Sequence, residues 1–325
     1  MKFPAVLLFV LFSLVLKAEN KTPVDLKTME DSLVLLFEQI ETPEMDDAQK
    51  LAVNELFKST LQNTLLLPFS FRYDFKNLKS ISILSAPDKK FKIFTWAFAT
   101  SDGIYHYYGF TQYHNKKNKN IVLRELKDKV NSPDEFSKYA DSTWYGAVYY
   151  EIVPLKKKSD TCYILLGWDG NNWMSKKRII EAVSFSSEGK INFGNAIFKE
   201  KEEEIIKVKK SDKPIRTQKK KEPIAGKEKQ RVIFEYAAKA AMSVHYNKIM
   251  KMIVFDHLAP SDPMYTNMFM FYAPDFSYDA YYYKNNNWFI SRNIDVRNSK
   301  TIKAQPYEPK EDEDIKLKKT EFKRN

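Results

Sequence analysis

Residues Arg231 to Asn298 form the longest apolar and aromatic run in the body of the chain, and turn signals cut it at short intervals. It reads RVIFEYAAKAAMSVHYNKIMKMIVFDHLAPSDPMYTNMFMFYAPDFSYDAYYYKNNNWFISRNIDVRN. Short runs of β-branched and aromatic residues bounded by Pro, Asn, Asp and Ser read as strands. The stretch is expected to supply about five or six consecutive antiparallel strands with which the rest of the fold pairs. Val232, Phe234 and Tyr236 fall on one face, and Met242, Val244 and Tyr246 repeat the pattern. Lys251 to Leu258 is nearly all apolar, so it is expected as a central strand buried on both faces. Ala259-Pro-Ser-Asp-Pro263 ends it. Pro274-Asp275 is expected to separate a strand at Met268 to Ala273 from another at Ser277 to Tyr283, and Asn285-Asn286-Asn287 makes a hairpin turn before Trp288.

The preceding chain changes period once. Leu26, Met29, Leu33, Leu36, Phe37 and Ile40 recur at helical spacing after Asp25, a candidate N-cap, and Pro43 ends that helix. A second helix is expected from Glu44 to Asn63, with Met45, Ala48, Leu51, Ala52, Leu56 and Phe57 as its stripe. From Phe69 the period becomes two. Strands are expected at Leu78 to Ser85, Lys90 to Ala99, Tyr105 to Tyr113 and Ile121 to Leu126. A second block follows at Trp144 to Val153, Cys162 to Trp168, Arg178 to Phe185 and Lys190 to Phe198. Ser101-Asp102-Gly103 and Asp169-Gly170-Asn171-Asn172 are tight turns. Asn171-Asn-Trp-Met-Ser175 echoes Asn286-Asn-Trp-Phe-Ile-Ser291, a match too short to establish a repeat.

Residues 1–18 have the form of a secretory signal peptide: Lys2, an apolar run from Phe3 to Leu16, then Ala18. An uncleaved anchor is the rival reading, and no later segment is long and apolar enough to span a bilayer. With one Cys, Cys162, no intramolecular disulfide forms, and that residue reads as a small core side chain. The net charge of +11 invites a nucleic-acid reading, but it is concentrated outside the body. The signal carries +2, residues 199–230 carry +5 and residues 299–325 carry +2, which leaves +2 for the folded part. No nucleic-acid groove is expected. The 199–230 run is expected as a disordered insertion and 299–325 as a disordered polar tail. The division is then 1–18 signal, 19–65 helical hairpin packing on the sheet, and 66–298 antiparallel β domain.

The segments WYGAVYYEIVP, YILLGWDGNNWMSKKRIIEAV, FEYAAKAAMSVHYN, MIVFDHLAP and YAPDFSYDAYYYKNNNWFISRNIDVRN, behind a signal and two helices, resemble a family of exported Gram-negative bacterial proteins of uncharacterised function. The resemblance implies export across an inner membrane, to the periplasm or beyond. It carries over no catalytic residue.

The most enzyme-like spot is Asp256-His257 in FDHLAPSDP, with His245 nearby in sequence. A His beside a carboxylate serves as a base or metal ligand, but strand neighbours point to opposite faces. The plain reading is a residue pair capping a strand end. No HExxH, GxSxG or phosphate-binding glycine motif occurs, and only eight Gly are present. Asp169 and Asn171 resemble half a calcium loop, while a hairpin turn explains them without metal. Asp275, Asp279 and Asp295 read as turn chemistry in the same way. Tyr278, Tyr281, Tyr282, Tyr283 and Trp288 form the densest aromatic patch; exposed, such residues stack on sugars or meet a partner, and core packing yields the same pattern. No cofactor is expected. The expected fold is mainly β (α+β): a large antiparallel meander as sandwich, barrel or propeller-like sheet, behind a short N-terminal helical hairpin. Three functions compete: a non-catalytic module binding an envelope protein or glycan, a hydrolase or metal enzyme using Asp256, His257 and His245, and a structural envelope component.

Overall fold

A computed structural model describes residues 25–115, 120–154, 162–199 and 228–296. The expected signal segment, nearly all of the charged insertion and the polar tail lie outside these residues. Among the described residues no helix is long and apolar enough to cross a membrane. The described residues are mainly β, with two helices at the N-terminal side and three sheets, none of them closed into a barrel.

Helix α1 (Leu26–Ile40) buries Leu33, Phe37 and Ile40, one face at i, i+4, i+7. Glu30 is buried with them. It accepts from the Tyr73 hydroxyl at 2.6 Å and from the Asn77 amide at 2.6 Å, which ties α1 to the chain after the helices. Asp25 stands at the N-cap without a side-chain bond. Helix α2 (Asp47–Leu66) starts later than the pattern suggested, because Asp46 and Gln49 form a reciprocal capping box. Its buried stripe also differs. Phe57, Leu61 and Leu65 face inward with Asn54 and Thr64, while Leu56 is exposed. The polar pair Asn54 and Thr64 masked this face in a hydrophobicity count. Asn54 is there because its side-chain oxygen accepts from the Trp96 indole N–H at 2.8 Å.

The first sheet runs in order β1 (Ser82–Ser85), β2 (Phe91–Ala99), β3 (Tyr105–Asn115), β4 (Asn120–Lys127). The second contains β5 (Tyr139–Ala140), β6 (Val148–Pro154), β7 (Cys162–Asp169), β8 (Ser175–Phe185) and β9 (Ile191–Phe193), in order β5-β9-β8-β7-β6. After β10 (Phe198–Lys199), strand β11 (Arg231–Ala237) pairs with β8 and so joins the second sheet. The third contains β12 (Val244–Asn247), β13 (Met252–Pro260), β14 (Tyr272–Lys284) and β15 (Asn287–Ser291), in order β10-β15-β14-β13-β12.

Period-two alternation stacks these sheets into layers. On β2, Phe94 and Trp96 pack towards the helices, while Phe91 and Ile93 pack towards the second sheet. On β7, Tyr163 and Leu165 face the first sheet, and Cys162, Ile164 and Leu166 face the third. The result is helices, sheet, sheet, sheet, with three apolar cores between four layers. The second sheet is buried on both faces, so YILLGW is an unbroken apolar run.

Three expectations need correction. The doubly buried centre of the fold is β7 with β8, whereas β13 is buried on both faces only at Ile253, Val254 and Phe255 and is partly buried from Asp256 onward. Strand β11 leaves its sequence neighbours for β8. Finally, Pro274-Asp275 does not divide two strands: Phe269–Phe271 is a short 3-10 turn, and Tyr272–Lys284 is one strand with a bulge.

Within the second sheet, Arg231 and Glu181 are cross-strand partners, and both side chains are fully buried. Arg231 Nε donates to Glu181 at 2.7 Å, and its Nη1 donates to the Asp134 and Ser137 carbonyls. The Tyr149 hydroxyl donates to the other Glu181 oxygen at 2.6 Å. The guanidinium lies 4.3 Å from the Tyr139 ring centroid.

Candidate functional site

A cleft of about 260 Å³ opens between β11 and the third sheet. Phe234, Phe255, Leu258, Tyr281 and Ile290 supply its apolar wall. His257, Asp279, Arg292, Asp256, Glu135 and Lys229 supply its polar side.

The polar side depends on the bulge. Pairing of β13 with β14 runs to Asp256 opposite Tyr278 and resumes with Leu258 opposite Pro274. His257 thus faces three residues, Asp275 to Ser277, where regular pairing would set one. Such a bulge re-aims side chains. Phe276, at its centre, has φ 69° and is 95% exposed. Asp275 turns back towards His257, with Oδ2 4.0 Å from Nε2. Donation from the Ser277 hydroxyl and amide holds the Asp275 carboxyl below the usual carboxylate range.

On the other side of the ring, His257 Nδ1 lies 2.9 Å from Asp279 Oδ2. Asp279 is fully buried. Burial alone would raise its pKa, but donation from His257, from Arg292 Nη1 at 2.6 Å and from the Asn293 amide at 2.9 Å outweighs that and holds it low. An ionised carboxylate only accepts, so Asp279 keeps a proton on Nδ1. Nε2 faces the bulge. Glu135 is likewise occupied: it accepts from Lys229 at 2.7 Å and from the Ile233 amide at 3.0 Å.

The structure separates the expected catalytic set. His257 pairs with Asp279, not with Asp256. Asp256 accepts from the Ser243 amide at 2.7 Å, and His245 is exposed beside the Ser243 hydroxyl and does not line the cleft. The aromatic patch divides as well. Tyr281 and Trp288 are buried in the core between the second and third sheets, and Tyr283, half-buried, packs on Trp288 at 5.3 Å. Tyr278 is half-buried on β14. Of these residues only Tyr281 reaches the cleft. Asp169 is buried and accepts from the Tyr107 and Tyr145 hydroxyls and from the Asn171 amide. Asn171 holds φ 50° in the turn. Turn and hydroxyl bonding therefore account for both residues. Among the described residues no cluster of three or more His, Cys, Asp or Glu is arranged to hold a metal ion.

The sequence reading missed the partnership of His257 with Asp279 and Arg292. Asp279 was visible only as one of several acidic residues near turns, and a bulge has no reliable signature. The Glu181–Arg231 pair left no isolated signal either, because β8 also carries Lys176, Lys177 and Arg178, and β11 also carries Glu235. No protein-family model, curated protein or solved structure matches this chain.

Proposed function

We propose that this chain is an exported, non-catalytic binding module of the cell envelope, and that the cleft receives an apolar side chain of a partner protein. One observation carries the reading: the cleft couples an apolar wall to charges that already satisfy one another. Asp279, Glu135 and Asp256 all accept from neighbouring groups. No Ser, Thr or Cys lines the cleft among the described residues, so His257 has no hydroxyl or thiol there to activate. The volume suits one protruding side chain better than a drug-sized molecule.

The surroundings favour a protein. The turn Phe269–Phe271 packs near β11, and Met268, Phe269 and Met270 are each at least 40% exposed. Phe276, on the bulge beside His257, is also exposed, and exposed Met and Phe side chains are the kind of surface that adapts to a partner. A photo-crosslinking residue at position 276, in cells expressing the full chain, should give a discrete adduct. It should be missing when the probe sits at exposed Ile249, and lost when Ile290→Trp fills the cleft. Equal labelling from both positions would defeat the reading. Ester or amide hydrolysis abolished by His257→Gln would replace it with the enzyme.

A further inference from the structure

We propose that Trp173 is a stacking platform for a pyranose ring of a neutral glycan, built where two hairpins interlock. The hairpins are the β2–β3 connection at 100–104 and the β7–β8 connection at 170–174, and they belong to different sheets. A β-carbon added to Gly103 would lie 2.3, 2.3 and 2.7 Å from Trp173 Cε2, Nε1 and Cδ2. Near-equal distances to three adjacent ring atoms place the glycine over the face of the indole, not at its edge. Gly103 also has φ 77°, so the position demands glycine twice over. The indole N–H donates to the Asp102 carbonyl, which fixes rotation of the ring. Yet Trp173 is 72% exposed. One face rests on glycine and the other is open to solvent.

The seat is rigid because the contact is exchanged. Gly170 of the second hairpin carries Tyr105 from the first: a β-carbon there would meet Tyr105 ring atoms at 2.4 to 2.5 Å. Tyr105 in turn packs edge-on against Trp168 at 5.4 Å. Beneath them, the Gly170 amide donates to the Tyr107 hydroxyl at 2.8 Å, and that hydroxyl donates to buried Asp169. Asn172 Oδ1 accepts from the Met174 and Ser175 amides and closes the turn around Trp173. Asp47, at the start of α2, accepts from the Ser101 amide at 2.9 Å and binds the first hairpin to the helix. An aromatic side chain left open to water on so many fixed supports is pre-organised, and binding to it costs little ordering.

The neighbouring chemistry selects the ligand. A pyranose offers one flat face of C–H groups and a rim of hydroxyls, which suits an open indole face with acceptors beside it. Asp102 Oδ1 is occupied by the Thr100 hydroxyl at 2.6 Å and the Ile104 amide at 3.1 Å, while Oδ2 has no partner among the described residues and is left to accept from a sugar hydroxyl. Asp102 and Asp47, beside the first hairpin, are carboxylates and repel phosphate or uronate, while Lys177 beside the second hairpin is engaged with Asn171 Oδ1 at 3.0 Å and with buried Asp169 at 3.9 Å. That disfavours nucleic acids and acidic glycans.

The test is titration of the full chain with cellohexaose and with N-acetylchitohexaose, followed by saturation-transfer NMR and tryptophan fluorescence. Saturable binding in the millimolar range or tighter is expected, with a blue shift of emission. Trp173→Ala should weaken it about tenfold or more, whereas Trp173→Tyr should retain most of it. Gly103→Ala leaves the indole in the chain but unseats it, and should weaken binding too. Far-UV circular dichroism of each variant guards against unfolding. No saturable response to either oligosaccharide at about 10 mM would overturn the proposal. So would binding unchanged in Trp173→Ala, or a Trp173→Ala effect confined to association with a protein.

Discussion

Asp279 shows how one buried side chain organises several others. Its carboxylate is stabilised only because three donors converge on it, from His257, Arg292 and Asn293. A carboxyl with folded pKa depressed below about 3.9, the unfolded value, contributes stability that is whole above that pH. The contribution is lost as pH falls through the folded pKa. Asp279→Asn should therefore unfold more readily than the parent in urea at pH 7. The gap should narrow as pH drops below about 4. A gap of constant size from pH 7 to pH 3 would show that the carboxylate is not the stabilising form. His257 was readable in the sequence as a candidate, but its partner was not. Period-two alternation set Asp256 on the face opposite His257 but left it a candidate, and the residue that does pair with His257 comes from the next strand across an irregular pairing.

At the level of elements, the placement of strands and helices was largely legible, because period and turn residues are local properties. Partner choice was not. Strand β11 and the strands after it look alike in composition, yet β11 pairs seven residues with β8. Nothing local to RVIFEYA distinguishes the two sheets. The charged pair does mark the join: Arg231 sits opposite Glu181, and each would be an uncompensated charge in an apolar layer without the other. Glu181→Leu or Arg231→Met alone should cost about 3–5 kcal/mol in urea denaturation, because each strands its partner. The double substitution should recover most of that loss. A double variant as unstable as the sum of the singles would mean that packing around Tyr149 and Tyr139, not charge compensation, dominates. The Trp173/Trp288 echo also fails at this scale: Trp173 is an exposed hairpin residue and Trp288 is a buried strand residue.

For the molecule as a whole, the layers share walls. The first sheet borders two cores and the second sheet borders two cores, so no core can be dismantled without exposing part of another. Calorimetry should show one transition, with equal calorimetric and van't Hoff enthalpies. Two resolved transitions would mean that the helices and first sheet melt independently. The layered stack was hidden in the sequence because a strand buried on both faces and one buried on a single face differ only by the residues on the second face. Lys251 to Leu258 is unbroken in its apolar character only from Met252 to Phe255, whereas Cys162 to Trp168 contains no charged residue.

The late arrival of β11 bears on how the protein is made. Strand β8 is complete at Phe185, yet the neighbour that neutralises Glu181 begins at Arg231. A chain that lacks residues 231–237 leaves positions 175–181 of β8 as an open edge and Glu181 without its counter-ion. A product that ends before residue 231 should therefore be digested by protease faster than the full chain, and equal digestion of the two would show that this edge is not exposed.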